Sequence, residues 1–404
     1  MPYISHVSAG NFTCGALIVM LTLTLPDNTA TSQGLDYPTP QDTARHQTAQ
    51  QKTAQQKTAQ QKTAQQGNAS TDNALRNHGV SENENDTEKN DTETGISAKS
   101  LTKSEPASDS SADSSGVVVG GRESTFANGI RLKQDQRFSE QEGKAGLCDV
   151  YLPASDAPKD GYPVVIVIHG GGWAAGDKWT IASYSRLLAQ EGIVAVTINY
   201  RLAPAHKFPA QVDDVRSAMV WVRQNAPRLK VNANKVGLFG YSAGGHLSAL
   251  LASLADETMV VRAAASNWPV TDKRWKQLPK ICAVCAGGPP CDFRSLPIDN
   301  NAMAYFLGGS RREKPEAYVA ASPAAHVSGD DPVTQLFHGE GDALVPLAGT
   351  RDFHKSQVKA GIDSRLAVIP KQGHMLTFIS PTTYQTVINF FREVLIKPAI
   401  VLPR

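Results

Sequence analysis

Residues 235–246 read KVGLFGYSAGGH. A short apolar run ends in the pattern Gly-x-Ser-x-Gly, and small and apolar side chains at helical spacing follow at once. This order predicts a strand that leads into a helix through a very tight turn, because Gly240 and Gly244 carry no Cβ atoms where strand and helix pass closest. The turn would hold Ser242 in a strained conformation at the helix N-terminus, where free N–H groups favour a developing anion.

Ser242 is therefore a candidate nucleophile, and a purely structural turn is the alternative. The five-residue pattern alone occurs by chance in many proteins, but the strand before it and the helix after it favour the nucleophile. A serine hydroxyl is not nucleophilic at neutral pH, so a general base is expected elsewhere in the chain.

Strands alternate with helices on both sides of this turn. Continuous apolar runs at 162–168 and 193–198 are typical of strands that are buried on both faces of a parallel sheet. Further strands are predicted at 147–153, before Ser242, and at 280–286, 333–337 and 364–369, and helices at 179–191, 210–226 and 382–396. The pattern predicts an α/β fold, with a mostly parallel sheet covered by helices on both faces.

The missing base and its orienting acid are expected in two loops after Ser242. The strand 333–337 is followed by HGEGDALVP, which contains Asp342, and the strand 364–369 is followed by PKQGH, which ends in His374. The carboxyl ends of parallel strands line the ligand crevice, and the order Ser, Asp, His is the one that this connectivity requires of a triad. His374 would take the serine proton, and Asp342 would fix the imidazole tautomer.

The same loops contain competitors for these roles. Asp342 taken alone could be a helix cap, and Glu340 is a nearby alternative for the acid. His338 is interpreted as a structural loop histidine, because it stands at the strand end before the acid. His246 is interpreted as a side chain packed in the helix behind the serine turn.

Three consecutive glycines at 170–172 follow the strand 162–168. Glycine costs about 1 kcal/mol against alanine in regular structure, so such a run is reasonable where backbone N–H groups must point at a substrate oxygen. The N–H groups of Gly171, Gly172 and Ala243 are the expected oxyanion hole, in which one donor is typically worth about 3 kcal/mol. A phosphate-binding loop is the alternative, but neither Gly-Lys-Ser/Thr nor the dinucleotide glycine spacing is present.

Cysteines at 282, 285 and 291 invite a zinc or redox interpretation. They lack a fourth ligand at zinc-ribbon spacing, so buried structural cysteines are predicted instead. Residues three apart on a strand point to opposite faces, so Cys282 and Cys285 are not expected to pair. A disulfide that involves Cys148 or Cys291 stays open if the protein is exported.

The composition bounds the partners of the chain. The 404 residues carry a net charge of +2 with 19% charged residues and no dense basic patch, so no nucleic-acid partner is expected. No bound metal is expected either.

The N-terminal part is predicted to be a targeting segment followed by a linker. The apolar run at 16–25 is too short for a transmembrane span and suits a signal peptide within residues 1–30, with a small-residue site at 28–30. Export to the periplasm, the medium or the cell surface is expected; the alternatives are an uncleaved segment or a mis-assigned start in a cytoplasmic protein. Residues 31–115, with QKTAQ three times in tandem at 51–65, are predicted to be a disordered low-complexity linker, with wall attachment or spacing as the alternative. Residues 116–404 would form the ordered domain.

Several motifs in the right order resemble those of the α/β-hydrolase esterases. They are HGGGW at 169–173, NYRLAP at 199–204, FPAQVDD at 208–214, GYSAGG at 240–245 and Gly373-His374. Over about 147–395 the chain looks like the hormone-sensitive-lipase-like carboxylesterases and the related feruloyl/acetyl-xylan-esterase type. The resemblance implies the α/β-hydrolase fold and hydrolysis by Ser, Asp and His without a cofactor. It also implies that Arg201, with Asp213 or Asp214, supports the oxyanion loop; the stretch 267–279 and the cysteine cluster depart from the pattern.

Three functions fit these observations. The first is a serine esterase that forms an acyl-enzyme on a small-molecule or polysaccharide-linked ester. The nearest alternative is an amide or formamide hydrolase of the arylformamidase type, which uses the same residues. A non-catalytic binding protein on the same fold is a third reading, but such a protein would be expected to lack a triad member.

Overall fold

The computed structural model of the chain describes residues 121–396. The predicted signal peptide and linker lie outside this range, as do residues 116–120 and 397–404 of the predicted domain. Among the described residues nine strands form one sheet, in the order β1-β2-β3-β5-β4-β6-β7-β8-β9. They are β1 Glu123–Thr125, β2 Arg131–Arg137, β3 Leu147–Leu152, β4 Tyr162–Ile168, β5 Val194–Ile198, β6 Val231–Tyr241, β7 Ile281–Gly287, β8 Val333–Gly339 and β9 Ser364–Ile369.

Helices connect the strands and cover the sheet. They are α1 Ala182–Gln190, α2 Ala210–Gln224, α3 Ala226–Leu229, α4 Ala243–Ser253, α5 Met259–Ala264, α6 Ala304–Leu307, α7 Pro315–Ala320, α8 Leu347–Lys359, α9 His374–Phe378 and α10 Pro381–Phe391. Short 3₁₀ turns occur at Lys178–Ile181, Lys273–Gln277 and Pro323–Ala325, and α10 continues as a π-helical turn over Arg392–Ile396. None of the helices between residues 121 and 396 combines the length and apolarity that crossing a bilayer needs.

The predicted α/β architecture is confirmed. The pairs β1–β2, β2–β3 and β3–β5 are antiparallel, and every pair from β5–β4 to β8–β9 is parallel. The segments 162–168 and 364–369 form strands with the predicted bounds, and the bounds of β3, β5, β7 and β8 lie within two residues of the predicted ones. β6 begins at Val231, four residues before the predicted run that starts at Lys235. The antiparallel edge formed by β1 and β2 was not predicted.

Two apolar cores lie on the two faces of the sheet. Val164, Ile166 and Ile168 of β4 belong to the core that contains residues of α2 and α4. Val165 and Val167 belong to the core that contains residues of α1 and α10. Because successive strand side chains point to opposite faces, a continuous apolar run such as β4 contributes to both cores.

The parallel strands bring distant loops to one edge of the sheet. The glycine-rich loop follows β4, Ser242 follows β6, Asp342 follows β8 and His374 follows β9. All four strands run in the same direction, so their carboxyl ends lie at the same edge. The fold therefore gathers the predicted site residues on one side of the molecule.

Candidate active site

Ser242 stands between β6 and α4 in a strained backbone conformation, with φ +56° and ψ −120°. A Cβ atom on Gly240 would lie 2.2 Å from the carbonyl oxygen of Gly244, and one on Gly244 would lie 2.0 Å from that of Ile168. Both glycines are thus required by close backbone contacts. The Ser242 N–H donates to the carbonyl oxygen of Gly287 at 2.7 Å, which fixes the turn against the end of β7.

Asp342 and His374 form a hydrogen-bonded pair. Nδ1 of His374 lies 2.6 Å from Oδ2 of Asp342, and both residues are buried. Oδ1 of Asp342 accepts from the N–H groups of Leu344 at 3.0 Å and Val345 at 2.9 Å. The carboxylate is thus held from both sides, and Nδ1 of the imidazole is a donor, so its Nε2 is free to accept a proton.

Tyr241 connects this pair to the serine turn. Its hydroxyl donates to the carbonyl oxygen of His374 at 2.5 Å, and the two rings have centroids 5.0 Å apart. Burial raises the pKa of the Tyr241 hydroxyl, which therefore remains a donor at neutral pH. The residue that precedes Ser242 is thus in direct contact with His374.

The two loops that carry the acid and the base are also joined to each other. The N–H of Gly341 donates to the carbonyl oxygen of Gln372 at 2.9 Å. A Cβ atom on Gly288, in the loop after β7, would lie 3.1 Å from Cε1 of His374. His374 is therefore contacted by residues at the carboxyl ends of β6, β7 and β8.

The glycine-rich loop after β4 has an unusual backbone. Gly171, Gly172 and Trp173 have φ values of +115°, +59° and +58°. A Cβ atom on Gly170 would lie 2.9 Å from the carbonyl oxygen of Tyr241, so the loop rests against the serine turn. The hydroxyl of Tyr305 donates to the carbonyl oxygen of Gly172 at 2.9 Å and holds the peptide from outside.

The expected oxyanion donors are unpaired. Within residues 121–396 no hydrogen bond occupies the N–H of Gly171, Gly172 or Ala243. Ala243 is the first residue of α4, where N–H groups have no partner inside the helix. Three free donors on two adjoining segments are what a site for a developing oxyanion needs.

Arg201 forms an ion pair with Asp214 and not with Asp213. Its Nη2 lies 2.8 Å from Oδ1 of Asp214, whose Oδ2 also accepts from the Arg201 N–H at 2.7 Å. The neighbouring N–H of Ala203 donates to the carbonyl oxygen of Trp173 at 2.8 Å, which ties the segment of this ion pair to the glycine-rich loop. Asp213 instead accepts from the N–H of Asn267 at 2.7 Å and anchors the segment that departs from the family pattern.

The other candidate side chains face elsewhere. His246 is fully buried behind the serine turn, where Nδ1 accepts from Trp173 Nε1 at 3.1 Å and Nε2 donates to the Ala321 carbonyl oxygen at 2.7 Å. Burial lowers the pKa of His246 to about 4, so it stays neutral. Glu340 is exposed, and its carboxylate accepts from the N–H of Lys371 at 3.1 Å, which leaves Asp342 as the acid in contact with the imidazole.

The cysteines of the described range are free thiols. Cys148, Cys285 and Cys291 are buried and Cys282 is partly buried, so the disulfide left open for Cys148 or Cys291 is not formed. Burial raises the pKa of the Cys291 thiol to about 12, which makes it unreactive. Between residues 121 and 396 no cluster of three or more histidine, cysteine or carboxylate side chains has the geometry to hold a metal ion.

A cavity of about 570 Å³ lies beside the glycine-rich loop, and it is a separate feature from the serine turn. His169, Asp177, Asn199 and Arg201 are among its lining residues, whereas Ser242, Asp342 and His374 are not. The described geometry therefore centres the site on the carboxyl ends of β6, β8 and β9.

Two contacts of this site carry no sequence signal. Tyr305 lies 133 residues from the Gly172 carbonyl group to which it donates, and it belongs to no motif. Tyr241 occupies a variable position of the Gly-x-Ser-x-Gly pattern. Its hydrogen bond to His374 becomes visible only when β6 and α9 are placed next to each other in the structure.

Comparison with known proteins gives a consistent result. The family model BD-FAE matches residues 148–356. The esterase LipC of Mycobacterium tuberculosis is 30% identical over 235 residues, 55% of each chain. The carboxylesterase NlhH of the same species is 37% identical over 129 residues, 31% of this chain and 40% of that protein. The matches thus span about half or less of these relatives. A truncated carbohydrate esterase from gut microbiota superposes with a TM-score of 0.59 at 24% identity. The superposition covers 68% of this chain and 99% of that one, so the two proteins share the fold.

Proposed function

Because this chain belongs to the BD-FAE family of α/β-hydrolase esterases, we propose that it is a serine hydrolase that cleaves carboxylic esters through an acyl-enzyme. The hydrogen bond between His374 and Asp342, joined to the serine turn through Tyr241, carries the proposal. It combines an oriented imidazole with a strained serine, which are the parts that activation of a hydroxyl requires.

The reaction would begin at the Ser242 hydroxyl. Oγ attacks the ester carbonyl carbon while Nε2 of His374 takes its proton, and Asp342 stabilises the resulting imidazolium. The tetrahedral intermediate collapses, and the imidazolium gives the proton to the departing alkoxide, which leaves as the alcohol. Water then attacks the acyl-enzyme by the same route and releases the carboxylic acid.

The oxyanion would be held by the N–H groups of Gly171, Gly172 and Ala243. Their lack of partners supports this role, because a donor that is already aimed at the developing charge needs no reorganisation during the reaction. The ion pair of Arg201 with Asp214 supports the loop through the Trp173 carbonyl group.

Exposed apolar side chains stand next to the proposed acid and base in the sequence. Leu344 stands two residues after Asp342, Met375 and Leu376 follow His374, and all three are exposed. The imidazolium must reach the leaving oxygen, so the alcohol part of the ester lies on this side. These side chains favour esters of apolar alcohols. The carbohydrate esterase that shares the fold makes sugar-linked esters the second candidate.

Ser242→Ala tests the proposed function. Hydrolysis of p-nitrophenyl acetate should fall by about 10⁴-fold, while Ser295→Ala, on an exposed loop, should match the wild type. A fluorophosphonate should add one phosphonyl group to the wild type and none to Ser242→Ala. Wild-type hydrolysis no faster than that of Ser242→Ala would contradict the proposal.

A substrate panel separates the remaining alternatives. It contains acetyl esters of phenol, butanol and xylo-oligosaccharides, together with an aryl formamide. The proposal requires ester cleavage to exceed formamide cleavage; the reverse order would identify the amide hydrolase.

Export is a second proposal, which the apolar run at 16–25 and the small residues at 28–30 support. The mass of the mature protein, recovered from cells that express the full chain, tests it. Loss of about 30 residues is expected, and an intact N-terminus in the cytoplasm would contradict it.

A further inference from the structure

The carboxylate of Asp342 is shared by two histidines. Its Oδ2 lies 2.6 Å from Nδ1 of His374 and 3.2 Å from Nε2 of His338. His338 is the penultimate residue of β8 and is fully buried. We propose that His338 is a positioning residue, which holds the Asp342 carboxylate in the orientation that His374 needs. The inference rests on the proposed function and replaces the interpretation of His338 as a structural loop histidine.

The hydrogen bonds of His338 determine where its proton lies. Nε2 faces two acceptors, Oδ2 of Asp342 and the carbonyl oxygen of Val345 at 2.9 Å, so Nε2 carries hydrogen. Nδ1 lies 2.9 Å from the hydroxyl oxygen of Thr350. That hydroxyl also lies 3.2 Å from the carbonyl oxygen of Pro289. The Thr350 hydroxyl has one proton, so it can donate either to Nδ1 of His338 or to the Pro289 carbonyl oxygen.

Neutral His338 is the form that suits the acid. Burial lowers the pKa of His338, although the Val345 carbonyl group and Asp342 oppose the shift. The neutral ring donates from Nε2 and accepts the Thr350 proton at Nδ1. If the ring gains a proton, the Thr350 hydroxyl must turn to Pro289, and a cation then competes with His374 for the Asp342 charge.

The network also reaches the loop that packs against Cε1 of His374. Pro289 follows Gly288, whose Cβ position lies 3.1 Å from Cε1 of His374. One chain of contacts therefore runs from Asp342 through His338 and Thr350 to the loop that packs on the base. Loss of His338 would loosen both supports of the imidazole.

The ionisable groups around this network are few. Within the described range they include Asp342, His374, Tyr241 and Cys291, whose thiol sulfur lies 3.9 Å from the Thr350 hydroxyl. The charge of Asp292 also acts on Cys291. Burial raises the pKa of both Tyr241 and Cys291, so these two stay neutral.

Two isosteric variants separate positioning from packing. His338→Gln places an amide N–H near the position of Nε2 and keeps a donor for Asp342, whereas His338→Asn places its amide near Nδ1 and loses that donor. His338→Asn should lower kcat for p-nitrophenyl acetate by about tenfold to a hundredfold, with KM within about twofold. Its acid limb in kcat/KM should move about half a unit to higher pH, because a carboxylate with one donor fewer holds a proton on the neighbouring imidazole more strongly.

His338→Gln should restore kcat to within about threefold of the wild type. The control is His354→Asn, one turn beyond Thr350 on α8, which should change neither kcat nor the pH profile. Equal kcat in His338→Asn and the wild type, or equal losses in the Asn and Gln variants, would overturn the inference.

If His338→Asn does not fold, Thr350→Val tests the positioning role of His338. It removes the hydroxyl between Nδ1 and Pro289, and kcat should fall severalfold at unchanged KM. An unchanged kcat would overturn the inference. Failure of the proposed function is distinguishable, because the wild type would then be no faster than Ser242→Ala.

Discussion

The hydroxyl of Tyr241 donates a 2.5 Å hydrogen bond to the carbonyl oxygen of His374. Tyr241 is the last residue of β6, and His374 is the first residue of α9. This one bond therefore joins the strand that carries the proposed nucleophile to the helix that carries the proposed base.

Tyr241→Phe should lower kcat with little change in KM. The variant keeps the ring contact with His374 but leaves a buried carbonyl group without its donor, which costs about 1–3 kcal/mol. We expect kcat for p-nitrophenyl acetate to fall about tenfold and the melting temperature to fall by several degrees. Steady-state kinetics and calorimetry check both effects. The comparison variant is Tyr384→Phe on α10, and a kcat loss of equal size there would refute the specific role of Tyr241.

Gly171→Ala should strongly lower activity. Its φ of +115° is unfavourable for alanine, and the new Cβ atom would lie 2.1 Å from the carbonyl oxygen of Ala175. The loop must shift, and its N–H donors shift with it. We expect a kcat loss of at least about 10²-fold. The matched control is Gly349→Ala in α8, where nothing lies within 4 Å of the new methyl group and stability should rise by about 0.5–1 kcal/mol. Equal kinetics in Gly171→Ala and the wild type would contradict the proposed oxyanion hole.

Asp331 should make stability depend on pH. Its carboxylate is buried before β8, one of its oxygens has no hydrogen-bond partner in the described range, and the Ser328 hydroxyl donates to the nearby Asp256. Burial, and then the charge of Asp256, raise the pKa of Asp331 from 3.8 to about 7. The folded state thus binds this proton more tightly than the unfolded state, so the free energy of unfolding falls as pH rises from about 4 to about 7.

Asp331→Asn should remove this contribution. Between pH 4 and pH 8 the free energy of unfolding should fall by about 2–4 kcal/mol more in the wild type than in the variant. Denaturant titrations at several pH values measure this difference. Asp330→Asn, at the exposed neighbouring position, provides the control and should follow the wild type. Parallel pH curves for the wild type and Asp331→Asn would show that Asp331 is ionised in the folded state at low pH.

The central part of the fold was predictable because burial on both faces leaves a strong pattern. β4 was predicted with its observed bounds, since it is buried along its whole length. β9 was also predicted with its observed bounds, although it is an edge strand whose first five residues are only partly buried. The order of Ser242, Asp342 and His374 followed from the direction of the parallel strands. Asp214 could not be chosen over Asp213 as the partner of Arg201, because adjacent carboxylates on α2 differ only in what packs against them.

Other elements were not predictable, because polar residues fill their buried positions. Helix α8 buries Thr350, Phe353 and Gln357, and only one of these is apolar. β2 reads RLKQDQR and pairs at the sheet edge, where burial is partial. The contact of His338 with Asp342 likewise depends on the turn after β8, whose geometry no residue spacing specifies.

The four loops of the site follow β4, β6, β8 and β9, and the last of them ends at His374. If the proposed function holds, a ribosome must extend the chain through β9 and α9 before the first turnover. A nascent chain that had completed most of the sheet would still be inert, so the onset of ester cleavage in a translating extract would report the arrival of the final strand.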